Sequence, residues 1–186
     1  MRKLNVFNFM SLNGYFKGAN NDISWHKRGT EEMQYAAEML KSGASLLFGR
    51  ETYEILADYW LSDEAKQKFP EVAEGMRQAE KIVFSSTLKE LKWGNTKIMN
   101  NNIAKKIHEM KQLPGKDITI LGSGTICCQL AELGLIDEYF IMVDPVILAE
   151  GTSIFHDVNR RLNLTLIGTQ AYKSGVVLLR YQEESL

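Results

Sequence analysis

Apolar side chains recur along this chain in two alternating rhythms. Short runs rich in Val, Ile, Leu and Phe give way to longer stretches in which apolar positions return every three or four residues, the mark of strands alternating with helices. Residues 3–10, KLNVFNFM, predict a first strand that is apolar on both faces, as a buried inner strand requires. Ser11-Leu12-Asn13-Gly14 ends it, and the Gly- and Asn-rich Tyr15–Asp22 predicts an exposed loop suited to a mobile flap. A helix is expected from Trp25 to Leu40, with Met33, Ala36, Ala37 and Leu40 on its apolar side and Ser42-Gly43 as its stop. Residues 44–48, ASLLF, form a second strand that runs through Gly49 into a second helix. Residues 61–80 are charged and helical, with Pro70 opening or interrupting a helix. Lys81–Phe84 and Thr96–Met99 are further strands, the latter leading into a helix from Ile103 to Leu113.

The stretch Asp117–Leu148 organises the rest. Ile118–Leu121 is a short strand, Gly122-Ser123-Gly124 breaks it, and Ile126, Cys127, Leu130 and Leu133 mark a core-facing helical stripe about ten residues long. Gly134 stands where a left-handed C-cap belongs. The helix begins directly behind a turn poor in side chains, so its unpaired N–H groups and positive dipole end suit a pyrophosphate; a tight turn with no ligand would use the same glycines. A G-x-G-x-x-G fingerprint would need Gly or Ala where Cys127 stands, although Asp144 falls about twenty residues on. Strand candidates ahead of this turn argue against a Rossmann fold, whose fingerprint occupies the first βα turn. Leu162–Tyr172 and Gly175–Tyr181, joined by Lys173-Ser174-Gly175, predict a closing hairpin. The whole pattern predicts one α/β domain over residues 1–186, with a mostly parallel mixed sheet and an antiparallel C-terminal edge.

Composition narrows the partners. With 186 residues, 45% hydrophobic and a net charge of −1, the chain can bury a sizeable core without a staple. Interspersed charge gives no basic face for nucleic acid and no polybasic or apolar membrane segment, which leaves a small molecule as the expected partner. Nothing near Met1 resembles a signal peptide, so a cytoplasmic location is expected. Cys127 and Cys128, the only cysteines, are adjacent and predict inert thiols; no metal site is expected.

Candidate binding residues cluster where strands end. Arg50 offers a planar fork of donors for a phosphate, or an ion pair with Glu51 or Glu54, and Thr52 can cap the helix or contact a phosphate oxygen. Ser85-Ser86-Thr87 follows the third strand, at the sheet edge where open α/β folds bind ligands. His26 reads as a surface or flap residue. Neither His108 nor His156 has a carboxylate or nucleophile in a recognisable local pattern.

Four stretches in order, SLNG, FGRETYE, FSST and LGSGTICCQLAELGLIDEYFIMVDPVIL, resemble the dihydrofolate reductase-like superfamily. The likeness is greatest to small stand-alone bacterial proteins related to the reductase domain of the bifunctional riboflavin-synthesis deaminase-reductase, and it extends to the terminal KSGVVLLRY. The resemblance implies a three-layer α/β/α fold, a homodimer and a single NADPH held where the strand ends converge. Gly122, Ser123, Gly124, Thr125 and Ile126 would hold the pyrophosphate, Arg50 and Thr52 would approach the phosphates, and Ser85 and Ser86 would lie near the adenosine ribose and its 2′-phosphate. It also implies hydride transfer to an electron-poor C=N or C=O bond, as in a pyrimidine reductase; a true dihydrofolate reductase and an NADP(H)-binding protein without turnover are the alternatives.

The substrate side departs from that pattern. Asn13 stands where riboflavin-pathway relatives carry Asp, and Ala149-Glu150-Gly151 replaces their LGxG, which points away from a uracil-ribitylamine substrate. Asn13, in the first motif, is a candidate substrate contact, and Asp22-Ile23-Ser24-Trp25-His26-Lys27-Arg28 resembles the helix-opening D-x-x-W-x-K-R of bacterial dihydrofolate reductases, which makes Trp25 a second candidate contact and Asp22 the candidate buried catalytic acid. Asp22 also reads as an ordinary N-cap.

Overall fold

The structure, a computed structural model, describes residues 1–184; Ser185 and Leu186, at the end of the predicted domain, lie outside the described residues. Strands β1 (Leu4–Ser11), β3 (Ser45–Gly49), β4 (Lys81–Phe84), β5 (Thr96–Met99), β6 (Ile118–Leu121), β7 (Glu138–Asp144), β9 (Leu164–Ala171) and β10 (Val177–Glu183) form one sheet in the order β5-β4-β3-β6-β1-β7-β10-β9. From β5 to β7 every pairing is parallel. Strand β10 runs antiparallel to β7 and β9, which gives the predicted mixed sheet and C-terminal hairpin.

Both faces of the central strands are covered, which is why their sequences are apolar without alternation. On β3, Leu46 and Phe48 pack with Tyr53, Val72 and Trp93 on one side, while Leu47 packs with Ile107, Ile126 and Leu130 on the other. Helices α1 (Thr30–Lys41), α2 (Arg50–Trp60), α3 (Asp63–Lys68) and α4 (Pro70–Gln78) precede β4, and α5 (Ile103–Gln112) and α6 (Gly124–Glu132) flank β6. Pro70 opens α4, where a missing N–H costs nothing. Gly134, at φ +64°, closes α6 as predicted: its N–H donates to the Ala131 carbonyl and that of Leu135 to Leu130, the paired bonds of a left-handed cap. Leu133, expected on the buried stripe, is 56% exposed because the helix has ended at Glu132.

Two expectations fail in the N-terminal third. Tyr15–Asp22 is not a free loop: Tyr15–Gly18 forms β2, which pairs antiparallel with β8 (Gly151–Ser153), and Ala19–Asn21 is a 3-10 turn. The helix expected from Trp25 starts only at Thr30, with Gly29 as its N-cap. Residues 23–29 instead turn beneath the sheet edge, fastened by the Lys27 N–H to Asp144 Oδ1 at 2.7 Å and the Lys27 ammonium to the Ser174 carbonyl at 2.9 Å. Tertiary bonds to distant residues outweigh local helix propensity here. No described helix is long and apolar enough to cross a membrane.

Candidate active site

The carboxyl ends of β3 and β6 lie side by side and each launches a helix across the same cleft. Neither helix has a side-chain cap: Gly49 precedes α2 and Ser123 precedes α6, both without a capping bond. The first-turn N–H groups of Gly124, Thr125 and Ile126 therefore face a cavity of about 540 Å³ with no side chain accepting from them.

One hydroxyl joins the two turns. Ser123 Oγ accepts the Gly49 N–H at 2.7 Å and donates to Thr52 Oγ1 at 2.9 Å, and Thr52 Oγ1 also accepts the Ser123 N–H at 3.1 Å. The arrangement holds Gly122 and Ser123 both at φ 60°, a backbone that Gly adopts freely and Ser only under constraint. Thr52 lines the cleft, but its oxygen serves Ser123; its part is to hold the glycine turn against α2.

Arg50 fills both of its predicted roles in part. Its guanidinium pairs with Glu54 at 2.9 Å and lies 3.8 Å from Glu51, yet it stays 41% exposed at the side chain and borders the cleft. It also borders an adjoining cavity of about 590 Å³ shared with Thr87, Lys89 and Lys92. Ser85 and Ser86 line neither cavity. Ser85 Oγ accepts the N–H groups of Thr87 and Leu88 at 3.1 and 2.9 Å, a local turn that occupies the oxygen as an acceptor. The cations on that wall are Lys89 and Lys92, which a search for phosphate-binding hydroxyls passes over.

The substrate-side assignments need correction. Asp22 is exposed, and its Oδ1 accepts the Ser24 N–H at 2.9 Å. That bond holds the carboxyl below the usual carboxylate range, the reverse of a buried acid. With α1 starting at Thr30, Asp22 is not its N-cap either. Asn13 stands outside the cleft: its Oδ1 accepts the Ser11 hydroxyl and the Leu148 N–H, and its Nδ2 donates to the Leu148 carbonyl, fastening the β1–β2 turn to the segment after β7. Trp25 does not line the cavity; its indole N–H donates to the Asp22 carbonyl at 3.1 Å and its ring lies 3.9 Å from His26.

Two histidines that local sequence passed over border the cavity. His26 has a side chain 9% exposed, packed 4.7 Å from the Phe9 ring, with Nδ1 3.6 Å from Oδ2 of the fully buried Asp144. His156 lies beside Gly124, with Nδ1 2.8 Å from the Ser153 carbonyl and Nε2 3.1 Å from Asp157. The far wall is apolar, built from Phe9, Met33, Leu56, Trp60 and Met76. Cys127 and Cys128 are buried free thiols, and burial pushes the Cys127 thiol upward, so it is unreactive as expected. No cluster that could hold a metal occurs among the described residues.

A Bacillus subtilis (strain 168) relative, Uncharacterized protein YyaP, is 30% identical over 172 residues, 92% of this chain and 90% of its own length. A putative riboflavin biosynthesis protein from Shewanella sp. PV-4 matches with a TM-score of 0.73 at 16% identity, covering 98% of this chain and 99% of that one. Dihydrofolate reductase from Enterococcus faecalis, in a complex with NADP(H), matches with a TM-score of 0.66 at 12% identity, covering 98% and 97%. At such identities the likeness is one of fold, and the fold is dihydrofolate reductase-like. The model of the RibD C-terminal domain matches residues 2–178, and the chain belongs to that family.

Proposed function

We propose that this protein is an NADPH-dependent reductase that adds hydride to a C=N or C=O bond of a small heterocyclic or related substrate. The observation that carries the reading is the pair of uncapped helix N-termini, those of α2 and α6, opening side by side on one cleft. Free N–H groups and two positive dipole ends are what a pyrophosphate needs. Gly124 keeps the start of α6 free of a side chain: an added Cβ there would meet the Phe16 ring at 2.9 Å, so only glycine lets that ring pack against the turn.

The N–H groups of Gly124, Thr125 and Ile126 would hold the pyrophosphate, and Arg50, Lys89 and Lys92 would meet the 2′-phosphate in the adjoining cavity. The bound cofactor would supply the hydride. The apolar wall of Phe9, Met33, Leu56 and Trp60 excludes water and orients a flat substrate, which is where such a reaction draws most of its rate. The exposed position of Asp22 weighs against a true dihydrofolate reductase, because a buried pterin-binding acid is what the resemblance requires there.

Titration of the protein with NADPH and NADH, followed by nicotinamide fluorescence, tests the cofactor. NADPH oxidation with dihydrofolate or pyrimidine substrates then tests turnover. Tight NADPH binding with no oxidation of any substrate would support a binding protein instead.

A further inference from the structure

Two buried polar atoms at the edge of the cleft lack hydrogen-bond partners: His26 Nδ1 and Asp144 Oδ2. They face each other at 3.6 Å, just beyond hydrogen-bond length, and a buried polar atom without a partner is destabilising. Asp144 cannot turn away, because its Oδ1 accepts the Lys27 N–H at 2.7 Å. His26 is held between the rings of Phe9 and Trp25, 4.7 and 3.9 Å away. A small ring movement closes the pair in the protein without ligand. The two nitrogens of an imidazole point apart. With Nδ1 committed to Asp144, Nε2 is the atom this cleft-lining ring has to offer.

We propose that His26, oriented by Asp144, donates the proton that accompanies hydride addition in this cleft. The inference rests on the reductase reading and gives the reaction the acid that Asp22 cannot provide. In the step, the substrate carbon of the C=N or C=O bond takes the hydride of the reduced nicotinamide, which is oxidised. The π electron pair moves to the heteroatom, which takes the proton from His26 Nε2. The imidazolium becomes a neutral imidazole whose Nδ1–H still donates to Asp144, and a solvent proton restores it. Asn8 supports the same placement: it is 5% exposed, borders the cleft, and its Nδ2 lacks an acceptor, a second donor for a substrate heteroatom.

The tautomer of His26 can be read without cofactor or substrate. In protein labelled with ¹⁵N-histidine, neutral His26 should carry its proton on Nδ1. Asp144→Asn keeps an acceptor for the Lys27 N–H and turns an amide NH₂ toward Nδ1, which should drive the proton to Nε2. A wild-type Nε2–H tautomer, or one unchanged by Asp144→Asn, overturns the orientation. For turnover, NADPH oxidation is followed with dihydrofolate as a C=N acceptor and 4-nitrobenzaldehyde as a C=O acceptor. His26→Gln should lower kcat roughly 10²- to 10⁴-fold while NADPH affinity stays within a few fold. Wild-type turnover matched by His26→Gln overturns the proton role alone. Absence of any wild-type turnover with bound NADPH overturns the reductase reading, and the proton role with it.

Discussion

Ser123 Oγ and the Gly49 N–H, 2.7 Å apart, join the ends of two neighbouring parallel strands into one edge of the cleft. The same hydroxyl donates to Thr52 Oγ1, so a single oxygen positions both helix N-termini. Ser123→Ala leaves the half-buried Gly49 N–H without its side-chain acceptor and should lower stability by about 0.5–1.5 kcal/mol. NADPH binding should weaken as well, because the two turns are no longer held in register. Thr52→Val removes the other half of the link, and the two substitutions should be non-additive in a double-mutant cycle by about 0.5–3 kcal/mol. Chemical denaturation of the four proteins measures this coupling; additive losses would mean that the two residues act separately.

Under the proposed reading, Arg50 should separate the two nicotinamide cofactors. It borders both the main cleft and the cavity with Lys89 and Lys92, and its ion pairs with Glu51 and Glu54 are half exposed and weak. A charge-assisted bond to a 2′-phosphate is worth about 1.5–3 kcal/mol, so Arg50→Ala should weaken NADPH about ten- to a hundredfold and leave NADH nearly unchanged. Fluorescence titration with both cofactors is the measurement. Equal losses would place Arg50 on the phosphates common to both.

Gly124→Val should block the cofactor, since its Cβ would meet Phe16 Cζ at 2.9 Å and its methyl groups would cover the α6 N-terminus. Phe16 belongs to β2 and can give way. Phe16→Ala in the Gly124→Val background should therefore recover melting temperature but not NADPH affinity. Recovery of both would show that the backbone at Gly124 does not touch the cofactor.

The layered fold was legible because its cause is local. β3 and β6 are apolar on both faces, Gly134 marks its own cap, and Pro70 its own helix start. Part of the cleft was legible for the same reason: Gly122 to Ile126 and Arg50 sit where strand ends meet helix starts, and all of them line it. The substrate side was not. Asp144 meets His26 only because β7 pairs with β1 and the Lys27 N–H is drawn to the carboxylate, a contact that leaves no trace in the sequence around either residue. Trp25 to Arg28 resembles a helix opening, yet Lys27 within it bonds to Asp144 and Ser174, and distance along the chain hides both partners. Ser85 shows the opposite ambiguity, since a hydroxyl at a strand end can serve its own turn as readily as a ligand.

Lys81 offers a test of the core that is independent of the site. The residue is fully buried at the start of β4, where its ammonium donates to the carbonyls of Met76, Arg77 and Ala79 at 2.8, 3.2 and 2.6 Å and lies 4.8 Å from the Trp93 ring. Those carbonyls end α4 and have no further helix turn to accept from, so the lysine serves as its C-terminal cap. Lys81→Met keeps the volume and removes the donors, which should cost about 1–3 kcal/mol at neutral pH. Burial, with Arg77 adding a smaller push, lowers the Lys81 pKa from 10.5 to about 8. Below pH 8 the folded and unfolded chains are both protonated, and the residue adds no pH dependence. Between pH 8 and 10.5 the unfolded chain binds the extra proton, so Lys81 adds an increment of stability that rises with pH; that increment is fully present above 10.5 and lost as pH falls through 8. The stability gap between wild type and Lys81→Met, measured by urea denaturation at a series of pH values, should be flat below pH 8 and widen from there to pH 10. A gap that narrows over the same window would mean that the three carbonyls hold the proton more strongly than burial expels it.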